Sequence, residues 1–163
     1  MQVLGGQHEI RTGLYTDAQR KRRDSSPWTL VQGILAPLQF IVFLISLGLV
    51  LRTLLTGDGA AIANASVVLK TLLLYTIMVT GSLWEKDVFG KYLFAPAFFW
   101  EDVVSFGVIA LHTAYLLSLL NGWMSETGLM WLALVAYAAY VTNAAQFVLK
   151  LRAARLQSAG AAS

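Results

Sequence analysis

Residues 28–52 read WTLVQGILAPLQFIVFLISLGLVLR, a run with no charged side chain until it closes on Arg52. A helix needs about 20 such residues to cross a hydrocarbon core of about 30 Å, so this stretch is long enough to span a bilayer. The same reading extends outward in both directions. Between Asp24 and Glu85 the charged residues are Arg52, Asp58 and Lys70, and between Asp102 and Lys150 there is only Glu126. Each of these long intervals divides into two spans, giving four at about 28–52, 62–84, 98–121 and 128–150. The separators carry helix-breaking residues: Gly57 and Gly59, then Gly90 and Pro96, then Gly122 and Gly128. Continuous apolar runs of this length are helices, because barrel strands would show short alternating segments.

Composition agrees. Of 163 residues 57% are apolar and 13% charged, with a mean hydropathy of +0.63. An average soluble domain is about one quarter charged, so an ordinary water-soluble domain is excluded, and so is disorder, which needs the opposite composition. The chain has no cysteine, which removes disulfide frameworks, thiolate metal sites and cysteine nucleophiles. His8 and His112 are the two histidines, too few for an all-histidine metal centre.

Orientation follows from the basic residues. Arg11, Arg20, Lys21, Arg22, Arg23, Lys86, Lys91, Lys150, Arg152 and Arg155 fall on one side of the four spans. The positive-inside rule places that side, and both termini, in the cytoplasm. Trp28, Trp84 and Trp100 then lie at the inner interface, Trp123 and Trp131 at the outer one. The expected architecture is an all-α integral membrane four-helix bundle over residues 25–155, with cytoplasmic tails at 1–24 and 156–163. The first span is too long for a cleaved signal core. The pI of 9.3 is accounted for by basic residues at an anionic leaflet, so nucleic acid is not an expected partner, whereas membrane lipid is. The triplet Asn64-Ala65-Ser66 matches a glycosylation sequon common by chance and carries no weight.

The informative residues are those a lipid-facing helix would not choose. Pro37 deletes the amide that would bond the Gly33 carbonyl, predicting a bend with Gln32 and Gln39 nearby to bond a neighbouring helix. Lys70 either snorkels toward the outer interface or points inward to hold an anion or carboxylate. Tyr75 and Thr80, further along the same helix, are either packed or donors to a bound polar molecule. Glu101 and Asp102 open the third span, where free helix amides and the dipole stabilise carboxylates without any function. Phe98, Phe99 and Trp100 immediately precede them, however, and Glu85 ends the previous span at the same side. Three carboxylates beside aromatic surface form a candidate general-acid site, in which desolvation and like charge keep one proton in place.

His112 lies eleven residues after Glu101, which returns it to within about 20° of the same helix face but about 16 Å along the axis. Ser105, Val108 and Tyr115 share that stripe. A lone histidine there is an interhelical contact, a proton donor and acceptor, or an axial ligand to a tetrapyrrole metal. The fourth span adds Tyr137, Tyr140, Asn143 and Gln146, with Tyr140 and Asn143 on one face.

Several long, irregular strings resemble one family, the 3-vinyl (2-vinyl) bacteriochlorophyllide or chlorophyllide a hydratases of bacteriochlorophyll biosynthesis. They are Ser26–Phe40 (SPWTLVQGILAPLQF), Val68–Thr71 (VLKT), Tyr75–Lys86 (YTIMVTGSLWEK), Leu93–Asp102 (LFAPAFFWED) and Leu111–Tyr115 (LHTAY). The resemblance covers about Tyr15 to Leu156. It implies a multi-pass enzyme of a bacterial cytoplasmic or intracytoplasmic photosynthetic membrane that adds water to the C3 vinyl group, giving the 3-(1-hydroxyethyl) derivative. It implies no cofactor and no protein-bound metal, since the magnesium belongs to the substrate. No family role transfers to individual residues. From residue chemistry, Glu101, Asp102 and Glu85 are the catalytic candidates. His112, Lys70, Tyr75, Trp100, Tyr115, Tyr140, Asn143 and Gln39 are substrate-binding candidates, with His112 a candidate axial ligand to the substrate magnesium. Two other readings stay open, a noncatalytic tetrapyrrole-binding protein and a small transporter or assembly subunit. So do a homo-oligomer and association with other pigment-biosynthesis enzymes.

Overall fold

The computed structural model describes residues 13–161; His8 and Arg11 lie outside them. The described chain is helical: α1 (Asp17–Ser25), α2 (Pro27–Thr56), α3 (Ala60–Phe89), a 3-10 turn (Pro96–Phe98), α4 (Phe99–Asn121) and α5 (Glu126–Ala161). Four of these stretches are long and apolar enough to cross a membrane: α2, α3, the 3-10 turn with α4, and α5. They run alternately up and down, so α1, the α3–α4 connection and the end of α5 gather at one end. That end carries Arg20 to Arg23, Lys86, Lys91, Lys150, Arg152 and Arg155 and is called the basic end below.

Local chemistry sets the boundaries. Ser26 closes α1 and caps α2, its hydroxyl accepting from the Trp28 amide while Pro27 takes the first helical position, where no amide is needed. Gly57 ends α2 at φ 75°, a left-handed conformation that side chains with a Cβ resist. Antiparallel α2 and α3 are joined along their length. Ser26 Oγ donates to Asp87 Oδ2 (2.6 Å), Trp84 Nε1 to Thr29 Oγ1 (2.9 Å) and Gln32 Nε2 to Thr80 Oγ1 (2.6 Å). Ser46 meets Ser66 at 2.7 Å and, across the bundle, the Tyr137 hydroxyl at 2.5 Å.

The distribution of polarity is inverted relative to a water-soluble protein. Gln39, Ser46, Lys70, Thr71, Glu85, Glu101, Asp102, His112 and Asn143 are buried, while Leu30, Ile34, Ile45, Leu55, Leu120, Val135 and Val148 stand exposed. Such a surface suits hydrocarbon, and the polar groups pack inside where partners exist.

Two details add to the expected four helices and two tails. At the end of the tail expected at 1–24, Asp17–Ser25 is a helix. Its start is fixed by a capping box in which the Thr16 hydroxyl accepts from the Gln19 amide and the Gln19 side chain accepts from the Thr16 amide. At the other end α5 continues to Ala161, because the alanine-rich, arginine-bearing stretch after Lys150 has high helix propensity. Pro37 lies inside α2, which continues on both sides of it from Pro27 to Thr56.

Candidate active site at the basic end

Glu85 sits in the last turns of α3 and Asp102 in the first turn of α4. The chain between them turns back over both. The Phe94 amide donates to Asp102 Oδ2 at 2.8 Å, and the next amide, Ala95, donates to Glu85 Oε2 at 3.3 Å. Successive amides of one short connection thus bind the two carboxyl groups and hold them side by side, close enough for each to act on the other. Both residues are almost fully buried. To deliver its amide, Phe94 adopts φ 59°, uncommon for a residue with a bulky side chain and the kind of local strain that accumulates at functional sites. Asp102 lies in the first turn of α4, where the helix terminus favours a carboxylate, and has a specific partner besides in the Phe94 amide of the preceding connection.

Glu101 faces elsewhere. Its Oε2 is 2.7 Å from Lys150 Nζ of α5, and the same ammonium donates to the Ala97 carbonyl. Asn143 Nδ2 donates to the Glu101 backbone carbonyl (3.0 Å), and the Ser105 hydroxyl lies within reach of that carbonyl (2.8 Å) and of Asn143 Oδ1 (3.0 Å). The three carboxyl groups are therefore a side-by-side pair plus one ion-paired neighbour. Lys150 is the residue that sequence reasoning missed. It was read as a topology determinant, although Asn143, Gln146 and Lys150 occupy one face of α5 at spacings of three and four.

Aromatic rings enclose this region. Trp84, Phe89, Phe98 and Phe147 pack against one another, and Tyr15, from the segment before α1, stacks on Phe89 at 5.9 Å between centroids. Burial pushes the Tyr15 hydroxyl above its ordinary pKa, with the neighbouring Arg23 opposing that shift. A second set faces outward: Phe94 stacks on Phe106 (5.5 Å) and touches Phe99, which touches Trp100. Trp100 is 69% exposed, so it lies on the surface beside the carboxyl groups rather than over them. A hollow of about 370 Å³, lined by Gly13, Leu14, Lys150, Ala153, Ala154 and Gln157, opens next to the ion pair.

The remaining candidates lie deeper. Lys70 and His112 are fully buried in the middle of the bundle, so Lys70 points inward and does not snorkel. Tyr140 is beneath the Lys70 ammonium, 3.5 Å from ring centroid to nitrogen, and Gln39 lies at the Tyr140 hydroxyl. Tyr75 is occupied by a 2.6 Å hydrogen bond to Thr113, and Tyr115 donates to Asn64 Oδ1. Asn64, set aside as part of a chance sequon, is thus an interhelical contact. Asn143 belongs to the basic-end site through Glu101, not to the central group. Among the described residues no three His, Asp or Glu side chains are arranged to hold a metal ion.

Comparison with known proteins supplies the remaining finding. The sequence profile of a family described as 2-vinyl bacteriochlorophyllide hydratase matches residues 15–153. A 2-vinyl bacteriochlorophyllide hydratase of Rhodobacter capsulatus is 64% identical over 153 residues, covering 94% of this chain and 89% of that protein. One of the same name from Cereibacter sphaeroides is 70% identical over 144 residues, covering 88% and 89%. No solved structure matches.

Proposed function

Because the chain belongs to the 2-vinyl bacteriochlorophyllide hydratase family, we propose that it adds water to the vinyl group of a bacteriochlorophyllide, and that the Glu85–Asp102 pair moves the protons. The chain is a hydro-lyase of bacteriochlorophyll biosynthesis; the residue roles are the proposal. Chlorophyllide a, which carries the same alkene, is taken as a second substrate.

The reaction sets the requirements. A proton goes to the terminal vinyl carbon, leaving positive charge on the carbon attached to the macrocycle, and water attacks that carbon and gives up a proton. One acid, one base and a nearby anion suffice. Two buried carboxyl groups held side by side are more stable with one proton between them than with two negative charges, so the Glu85–Asp102 pair provides an acid beside its conjugate base. The group that donates to the alkene becomes the carboxylate that accepts from the incoming water, and the pair is restored. Glu101, ion-paired with Lys150, supplies negative charge near the developing cation. The outward rings of Phe94, Phe99, Trp100 and Phe106 give the flat face of the macrocycle a surface at the level of the pair.

The basic end faces the cytoplasm of a bacterial cytoplasmic or intracytoplasmic membrane, so water reaches the pair from that side while the pigment rests partly in lipid. No added cofactor takes part, and the substrate brings its own magnesium. The observation that carries the reading is a pair of buried carboxyl groups bound by two adjacent amides of one connection. The test is incubation of detergent-purified chain with the vinyl pigment and nothing else. Product heavier by one water, with the vinyl signal lost, is expected; pigment bound and returned unchanged would overturn the proposal in favour of a carrier.

A further inference from the structure

Each membrane-length helix sends one polar side chain to the same interior place: Gln39 from α2, Lys70 from α3, His112 from α4 and Tyr140 from α5. The Lys70 ammonium stands over the Tyr140 ring, Gln39 lies beside the hydroxyl of that ring, and His112 packs against Tyr137, on the same helix as Tyr140, at 5.8 Å between ring centroids. Three atoms of this group are buried without a hydrogen-bond partner among the described residues: Lys70 Nζ, His112 Nε2 and Gln39 Oε1. Buried polar atoms ordinarily have partners, so three orphans in the interior beside Tyr137 and Tyr140 point to something that binds all of them.

The donor and acceptor character of the three atoms selects its chemistry. His112 Nδ1 is 2.8 Å from the Val108 carbonyl oxygen. A carbonyl only accepts, so the proton of the neutral ring sits on Nδ1 and Nε2 presents a lone pair. Gln39 Oε1 also presents lone pairs, whereas Lys70 Nζ presents hydrogens. The ligand must therefore accept one hydrogen bond and donate two. An anion would face two lone pairs, a metal cation would face an ammonium, and an apolar group would satisfy none of them.

We propose that Lys70, His112 and Gln39 hold a buried water molecule at the centre of the bundle. The site is distinct from the carboxyl pair and continues toward it. Tyr140 is one helical turn from Asn143, which binds the Glu101 carbonyl and reaches Ser105. The water is the deepest member of a polar column that ends at the Glu101–Lys150 ion pair.

The test is X-ray hydroxyl-radical footprinting of the full chain in nanodiscs, read by mass spectrometry, because radicals born from a bound water mark the side chains around it even where bulk solvent is excluded. His112 and Tyr140 are expected to label about tenfold faster than Tyr115, which is equally buried but bonded to Asn64. Lys70→Met should bring both down to the Tyr115 rate, and Gln39→Leu serves where Lys70→Met does not fold. Labelling of wild type no faster than Tyr115, or unchanged in the folded variants, overturns the proposal. So does wild-type labelling that depends on added chloride or phosphate, which would mark an anion in the site. None of these outcomes bears on which carboxyl group protonates the alkene.

Discussion

At the basic end, Glu85, Glu101 and Asp102 each meet a donor: the Ala95 amide, the Lys150 ammonium and the Phe94 amide. Halfway down the same bundle, Lys70, His112 and Gln39 are as deeply buried and leave one atom each without a hydrogen-bond partner among the described residues. The contrast teaches how a small membrane bundle divides its polar side chains. Where the chain connects α3 to α4, backbone amides leave the helical pattern and become available to bind carboxyl groups. In mid-span every backbone amide is committed to its own helix, so a polar side chain must find another side chain or a small ligand. The proposed chemistry, which needs an acid beside its conjugate base, accordingly falls at the end of the bundle, where free amides can hold the two carboxyl groups.

The largest expected effect tests the first half of that contrast. Glu85→Gln and Asp102→Asn should each lower the turnover of vinyl pigment by about 100-fold or more, the usual contribution of a positioned acid or base. Circular dichroism of both variants should stay helical. Wild-type turnover in both would remove the carboxyl pair from the mechanism. Next is Lys150→Met, which strands Glu101 as a buried carboxylate. A destabilisation of about 2 kcal/mol is expected in detergent-stability measurements, below the 3–5 kcal/mol of a fully buried pair because Lys150 is partly exposed. Lys150→Arg should restore most of it, and an unchanged midpoint in Lys150→Met would show that the ion pair contributes nothing.

Smaller effects sharpen the mid-bundle half. Tyr115→Phe removes a single hydrogen bond to Asn64 and should cost about 1 kcal/mol of stability with little change in turnover. A large loss of turnover would place Tyr115 in the chemistry instead. Thr16→Ala breaks the capping box of α1, which lies outside the spans, and should cost about 1 kcal/mol locally. Faster amide exchange confined to residues 17–25 would show this; spread of the exchange into α3 would show that α1 braces the active site.

Much of the fold was legible because hydrocarbon imposes a simple length and charge rule. The four long runs correspond to α2, α3, the turn with α4, and α5, and the stripe Glu101, Ser105, Val108, His112 and Tyr115 is buried along one side of α4. What the rule could not give was pairing across helices. Lys150 looked like one more basic residue at a membrane edge, and its bond to Glu101 depends on how α5 packs against α4. Nor does any periodicity announce that the Phe94 and Ala95 amides turn toward Glu85 and Asp102, since that needs the positive φ of a phenylalanine. Helix α1 escaped for another reason: it is polar throughout, and its signal lies in the Thr16 and Gln19 spacing, not in apolar residues.

The proton proposed to lie between Glu85 and Asp102 is open to direct inspection by infrared spectroscopy of the wild-type chain in membranes at neutral pH. A carbonyl band from a protonated carboxyl group is predicted, shifting in heavy water and vanishing in both Glu85→Gln and Asp102→Asn. A wild-type spectrum showing only ionised carboxylates, from a sample that still hydrates the vinyl pigment, would contradict the account.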